Sequence, residues 1–161
     1  MLFTGSYRRS LDEKLRLAMP KQLRDVLAND HGAGKQVAEN QGSELFITPG
    51  TDHSLAIYTG KVLEELGQRL AQSSPAAKDT RAFSRLFYAQ AQPAEIDGQG
   101  RLRVPAELAK LARLTGEVVV LGVRDHIELW EAAAWDAFLA ATQPSYDELA
   151  EKVLSGEIPE R

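Results

Sequence analysis

The chain contains no cysteine, which rules out disulfides, thiolate catalysis and cysteine-ligated metals. Histidine is sparse. His31, His53 and His126 are scattered and show no ligand spacing such as His-x-x-x-His, so neither a metal nor another cofactor is expected. No run approaches the roughly 18 to 20 apolar residues that cross a bilayer, and the opening "MLFTGSYRRS" lacks the apolar segment of a signal peptide. These absences lead to the expectation of a cytoplasmic protein with no membrane partner. Hydrolase and phosphate-loop patterns are missing too. "SLAIYTG" after His53 is no nucleophile elbow, and "HGAGKQ" at residues 31–36 lacks the Walker spacing and has no Ser or Thr after Lys35. No enzymatic activity is expected.

What is present is an ordinary globular composition: 161 residues, 43% hydrophobic and 26% charged. The net charge of -4 argues against a polyanionic partner, but its distribution is uneven. Residues 1–24 carry Arg8, Arg9, Lys14, Arg16, Lys21 and Arg24 against Asp12 and Glu13, whereas residues 147–161 carry five acids and two bases. A positive face on an acidic protein is therefore allowed.

One phrase occurs twice. "LDEKLRLAMP" at residues 11–20 and "IDGQGRLRVP" at 96–105 each hold Asp-x-x-x-Arg, an apolar residue before the Asp, a Leu after the Arg and a Pro four places on, at an offset of 85. The repeat extends. "KQLRDVLAN" and "AELAKLARL" read as short helices with Pro at the first helical position. "ELFITPGTDHSLAIYT" and "EVVVLGVRDHIELWEA" read as hairpins that end at Tyr58 and Trp130 and place His53 and His126 at matching turn positions. "GKVLEELGQRLA" and "AAAWDAFLAAT" close the two copies as helices, the first with Val62, Leu63, Leu66 and Leu70 on one stripe. Between the copies, "AQSSPAAKDT" reads as a linker, and "RAFSRLFYAQAQ" as a segment with Phe83, Leu86 and Phe87 on one helical face before an extended lead-in to Ile96. "SYDELAEKVLSG" reads as a last helix capped by Ser145. A unit of about 70 residues is short of core, so two copies are expected to complete one another as one pseudo-twofold body.

An Asp and an Arg with three residues between them across a tight turn can face one another, the carboxylate accepting from turn amides and from the guanidinium. Gly98 and Gly100 suit such a turn in the second copy. Glu13 and Leu15 hold those places in the first, so that turn is either built differently or strained. Two accounts fit, and both can hold at once. The phrases are structural corners, or they aim Arg8, Arg9, Lys14, Arg16, Arg101 and Arg103 at phosphates and base edges, with Asp12, Asp97, Gly98 and Gly100 shaping the turns.

Together, "MLFTGSY", the doubled Asp-x-x-x-Arg, "RLFYAQAQPAEID" and "DHIELW" resemble the MraZ family of bacterial regulators over nearly the whole chain, to about residue 140. The resemblance implies a mainly β fold with short helices: tandem AbrB-like swapped-hairpin domains forming one pseudo-twofold, double-ψ or β-barrel-like body with peripheral helices. It implies domains at 1–76 and 77–142, followed by an acidic helix and tail at 143–161. It further implies a homo-oligomeric ring, octameric or dodecameric, that binds double-stranded DNA at promoter repeats. The function so implied is a sequence-specific, nucleoid-associated transcriptional regulator repressing its own division and cell-wall operon. Family members commonly carry Gly before the first motif's Arg, where this chain has Leu15. Because Ala94 and Glu95 replace Arg8 and Arg9 in position, the first copy is expected to dominate DNA contact. The alternative from another class is a ring or scaffold without nucleic acid, which net acidity and tandem architecture favour.

Overall fold

The computed structural model describes residues 1–29, 44–74 and 76–156. The glycine-bearing segment 31–36, with His31, lies outside the described residues, as do Pro75, Glu157 and Glu160. The chain divides into two compact units, Met1–Glu131 and Ala132–Arg161.

In the first unit the element order is β1 (Ser6–Ser10), β2 (Arg16–Ala18), α1 (Lys21–Asn29), β3 (Leu45–Pro49), β4 (Leu55–Thr59), α2 (Gly60–Gln72) and α3 (Lys78–Gln90). It continues with β5 (Gln92–Ala94), β6 (Arg101–Arg103), α4 (Ala106–Leu111), β7 (Glu117–Val123) and β8 (His126–Glu131). The two prolines stand immediately before α1 and α4, not at their first positions as expected; Pro105 is the N-cap of α4. Their carbonyls still open the helices, Pro20 O accepting from Arg24 N–H and Pro105 O from Ala109 N–H. Thr59 caps α2 by accepting the Val62 N–H, and Val62 is the one fully buried member of the predicted stripe. On α3 only Phe87 is buried, while Phe83 and Leu86 remain exposed.

The strands build an antiparallel six-stranded sheet, ordered β1-β7-β8-β4-β3-β5, and a separate two-stranded ribbon, β2-β6. No closed barrel forms among the described residues. The expected barrel is replaced by an open sheet edged by β1 and β5, because the three-residue strands β2 and β6 pair with each other and with no sheet strand. Each copy's first strand pairs with the other copy's hairpin: β1 joins β7, and β5 joins β3.

The registers obey the repeat. At an offset of 85, Arg16 matches Arg101 and Leu17 matches Leu102; Leu17 opposes Leu102 across the ribbon. Arg8 and Arg9 match Pro93 and Ala94, one place earlier than the expected Ala94 and Glu95: Arg9 opposes Val118 on one side, and Ala94 opposes Leu45, the counterpart of Val118, on the other. In the centre Ala56 opposes Glu128, its own match at an offset of 72. A pseudo-twofold axis therefore passes through the Leu17–Leu102 and Ala56–Glu128 pairs. The core has the same symmetry, since Leu17, Met19, Leu23 and Leu27 are buried alongside Leu102, Val104, Leu108 and Ala112. Leu45, Ile47, Leu55 and Ile57 join it with Val118, Val120, Ile127 and Leu129.

The offset falls from 85 to 72–73 because residues lie between α1 and β3 that have no counterpart between α4 and β7. One further residue separates the hairpins. Five residues lie between Pro49 and Leu55, whereas four lie between their counterparts Gly122 and Ile127. His53 and His126 consequently do not match. His53 lies in the loop with φ 62°, and His126 is the first residue of β8, where the offset of 72 makes it the repeat counterpart of Ser54.

The second unit contains α5 (Ala132–Thr142), a single 3₁₀ turn at Gln143–Ser145, and α6 (Tyr146–Leu154). Trp135 and Phe138 stack on α5 with centroids 5.5 Å apart. Ser145 holds the N-cap position of α6, but its side chain makes no capping hydrogen bond, contrary to expectation, because the preceding 3₁₀ turn runs directly into the helix. Among the described residues, no helix is long and apolar enough to cross a membrane.

Leu102 is fully buried on the axis. Leu102→Ala is expected to lower unfolding free energy by about 2–5 kcal/mol, read from urea denaturation followed by circular dichroism. A loss below about 1 kcal/mol would show that the two halves do not share this core.

Candidate nucleic-acid interface

Both Asp-x-x-x-Arg turns are built by one network. Asp12 Oδ1 accepts from the backbone N–H groups of Lys14 and Arg16, both at 2.9 Å, while Oδ2 accepts from Arg16 Nε at 2.9 Å. Asp97 repeats this with Gln99 N–H at 2.9 Å, Arg101 N–H at 3.0 Å and Arg101 Nε at 2.9 Å. Backbone bonds close each turn, Asp12 N–H to Arg16 O and Asp97 N–H to Arg101 O, both 2.9 Å. The Arg backbone N–H leads in holding each carboxyl below its ordinary range. A carboxylate so placed fixes its arginine's direction yet occupies only Nε, leaving the terminal Nη pair for a bidentate contact.

Pairing β2 with β6 sets these arginines on one surface. Leu17 and Leu102 point inward, so the alternation of a strand turns Arg16, Ala18, Arg101 and Arg103 outward. Arg16 opposes Arg103, and Arg101 opposes Ala18. The 12–16 turn stands at the Arg16–Arg103 end with Lys14 exposed; the 97–101 turn stands at the other, with Gly98 and Gln99 exposed.

Arg8 and Arg9 separate, because neighbouring strand residues face opposite ways. Arg8 points to the exposed face of β1 and pairs with Glu117 at 3.0 Å. Arg9 turns toward the ribbon, its Nε donating to Ala18 O at 3.2 Å. It thus joins the 97–101 end, not the turn nearest in sequence, and evens the cations between the ends.

Leu15 takes the strained solution. Its φ is 59° where Gly100 has 76°, so the two turns share one left-handed backbone. A non-glycine residue there costs roughly 1–2 kcal/mol. The apolar side chain of Leu15, partly buried against the core, offsets this.

The second turn holds a residue that sequence reasoning missed. Arg24 on α1 donates from Nε to Met19 O at 3.1 Å, and a Cβ built on Gly100 would lie 2.9 Å from Arg24 Cζ. The guanidinium therefore lies on bare glycine backbone. At the offset of 85 the counterparts of Arg24 and Gly100 are Ala109 and Leu15, so the copy with glycine in the turn has the large helix residue and the copy with leucine has the small one. Comparing the copies for such size exchange was the signal that could have found it.

A second polar cluster lies in the sheet. His126 Nδ1 is 2.9 Å from Asp125 Oδ1 and Nε2 is 3.1 Å from Glu128 Oε1, while Trp130 Nε1 donates to Glu128 at 2.9 Å. Carboxylates only accept, so both contacts are hydrogen bonds when the ring carries both protons. Glu128 first, then Asp125, raises the His126 pKa above its ordinary value against the opposing effect of burial. Tyr58 packs on the imidazole with centroids 5.3 Å apart. Among the described residues, no group of three or more His, Asp or Glu is arranged to hold a metal.

An antiparallel β body with a carboxylate-locked cationic ribbon defines a class of β protein with one arginine-bearing surface. The comparisons narrow it. The family model "MraZ protein, putative antitoxin-like" matches residues 87–155. A relative named transcriptional regulator MraZ from Moorella thermoacetica (strain ATCC 39073 / JCM 9320) is 34% identical over 157 residues, covering 98% of this chain and 100% of the relative. Relatives of the same name from Alkaliphilus oremlandii (strain OhILAs) and Mycobacterium sp. (strain KMS) are each 33% identical; they cover 94% and 95% of this chain and 96% and 97% of their own lengths. The chain belongs to the MraZ family.

Two outcomes are expected. Gly100→Ala should destabilise by about 1–2 kcal/mol, because it adds left-handed strain and displaces Arg24; an unchanged urea midpoint would contradict this account of the turn. The His126 pKa is raised in the folded state, so its stabilising contribution is full below about pH 6.5 and is lost as pH rises through the folded value. NMR titration should place His126 above 6.5 and Glu128→Gln should lower it; a wild-type value at or below 6.5 would refute the bridging arrangement.

Proposed function

We propose that the chain is a sequence-specific DNA-binding transcriptional regulator, acting as a repressor on repeated sites upstream of its own division and cell-wall operon. It would work in the cytoplasm, on the nucleoid. The observation that carries the reading is the outward face of the ribbon, where Arg16, Arg101 and Arg103 stand between two carboxylate-locked turns. A two-stranded ribbon fits the major groove, and a guanidinium with free Nη groups engages a phosphate or the O6/N7 edge of guanine. The relatives' name points the same way.

The tandem assignment, 1–76 and 77–142 in a swapped-hairpin relation with 143–161 as a tail, is supported by the reciprocal pairing of β1 with β7 and β5 with β3. The reading includes a homo-oligomeric ring of eight or twelve chains; what supports assembly, though not its number, is a set of exposed apolar side chains, Phe83 and Leu86 on α3, and Tyr146, Val153 and Leu154 on α6. Linked subunits would add weak contacts into tight binding at spaced repeats. The same exposed residues favour the second reading, a ring scaffold that binds no nucleic acid.

Fluorescence anisotropy across a salt series separates the two. A duplex from upstream of the protein's own gene should bind more tightly than a scrambled one, losing about 0.9 logarithmic unit of affinity per decade of salt for each phosphate neutralised. Arg16→Ala and Arg101→Ala should each weaken binding about tenfold or more while the protein stays folded. Folded, assembled protein that binds neither duplex at low salt would establish the scaffold reading.

A further inference from the structure

The backbone symmetry of the two turns makes their chemical differences readable. The 12–16 end carries Glu13 and Lys14, and the matching positions at the 97–101 end carry Gly98 and Gln99. Lys14 and Gln99 have backbone N–H groups bound to the Asp Oδ1 at the same distance, 2.9 Å, so each is fixed at its turn in the same way. Around Gly98 a Cβ would meet nothing within 4 Å, which leaves that tip narrow and unobstructed. Glu13 places a carboxylate at the corresponding point of the other tip, where it opposes approach to phosphate.

Cations from elsewhere converge on the narrower tip. Arg24 comes from α1 and lies over Gly100, held by Met19 O. Arg9 comes from β1 to Ala18 O, beside Arg101. Among the described residues, no buried side-chain nitrogen or oxygen lacks a partner, so the Nη groups of Arg24 that make no hydrogen bond are open to solvent.

Resting on the DNA-binding reading, we propose that the 97–101 end is a second reading site, built from both halves of the chain and unequal to the 12–16 end. In it Arg24 takes a backbone phosphate and Gln99 reads a base edge. Donor-only Lys14 suits the two acceptors of guanine, whereas the Gln99 amide, both donor and acceptor, suits the N6/N7 edge of adenine. One chain would therefore recognise a sequence with no internal dyad, despite its own pseudo-twofold backbone. Arg24 contributes affinity without sequence preference, and Gln99 contributes preference.

The test uses the full chain with a random-sequence duplex library for selection, followed by salt titrations on the selected duplex. Wild type, Gln99→Ala and Arg24→Gln are compared after circular dichroism confirms folding. Gln99→Ala should lose discrimination about tenfold at one base position with an unchanged salt slope. Arg24→Gln should keep the selected sequence and lower the slope by about 0.9. Should Arg24→Gln not fold, Gln99→Ala decides alone, since the Gln99 side chain is exposed. A wild type that selects a sequence, with variants that match it in preference and slope, overturns the second site and leaves DNA binding standing. A wild type that selects nothing and shows no salt-dependent binding overturns both.

Discussion

The carboxylates of Asp12 and Asp97 are the points on which the ribbon depends. The two oxygens of each act differently, Oδ1 gathering two backbone N–H groups into a turn while Oδ2 orients the arginine that follows. Neither alanine nor a longer carboxylate at the same place supplies both reaches at once. Because each turn ends at the first residue of β2 or β6, its geometry also sets the ribbon register, and so which residues face the core. The turn's geometry and the proposed role of its arginine therefore rest on the same carboxylate. The side chain that holds the corner also aims the cation.

Much of this was legible in the sequence. The doubled motif, the helices after Pro20 and Pro105, both hairpins and the helices that follow them are local patterns, and they occur in the expected order. The order of strands in the sheet was not. β1 is bounded by polar residues and pairs with a strand more than a hundred positions away, and no periodicity encodes a partner. The barrel implied by family resemblance failed for a similar reason, since strand length and pairing decide closure and three-residue strands leave little to pair.

Two smaller departures show what repeat comparison can miss and what it can find. One extra residue in the first hairpin makes Ser54, not His53, the repeat counterpart of His126, although Asp-His occurs in both copies. Sequence identity at a turn did not mean positional identity. Conversely, Leu15 is no defect in the first motif, since both turns use a left-handed residue at this place; where that residue is Gly100, α1 lays Arg24 over it, and the matching helix position in the other copy is the small Ala109.

The exchange of first strands has a consequence for the protein's manufacture. Arg8 leaves the ribosome 109 residues before Glu117, its neighbour in the finished sheet. At synthesis rates of about 5–20 residues per second, that is an interval of roughly 5–20 s. During it β1 is a strand without its partner, next to the apolar Phe3 and within reach of other nascent chains. Adjacent arginines on a five-residue strand are the kind of charge that discourages mispairing at a free edge. The same two residues thus protect the segment at birth and, once β7 arrives, divide between the sheet and the ribbon.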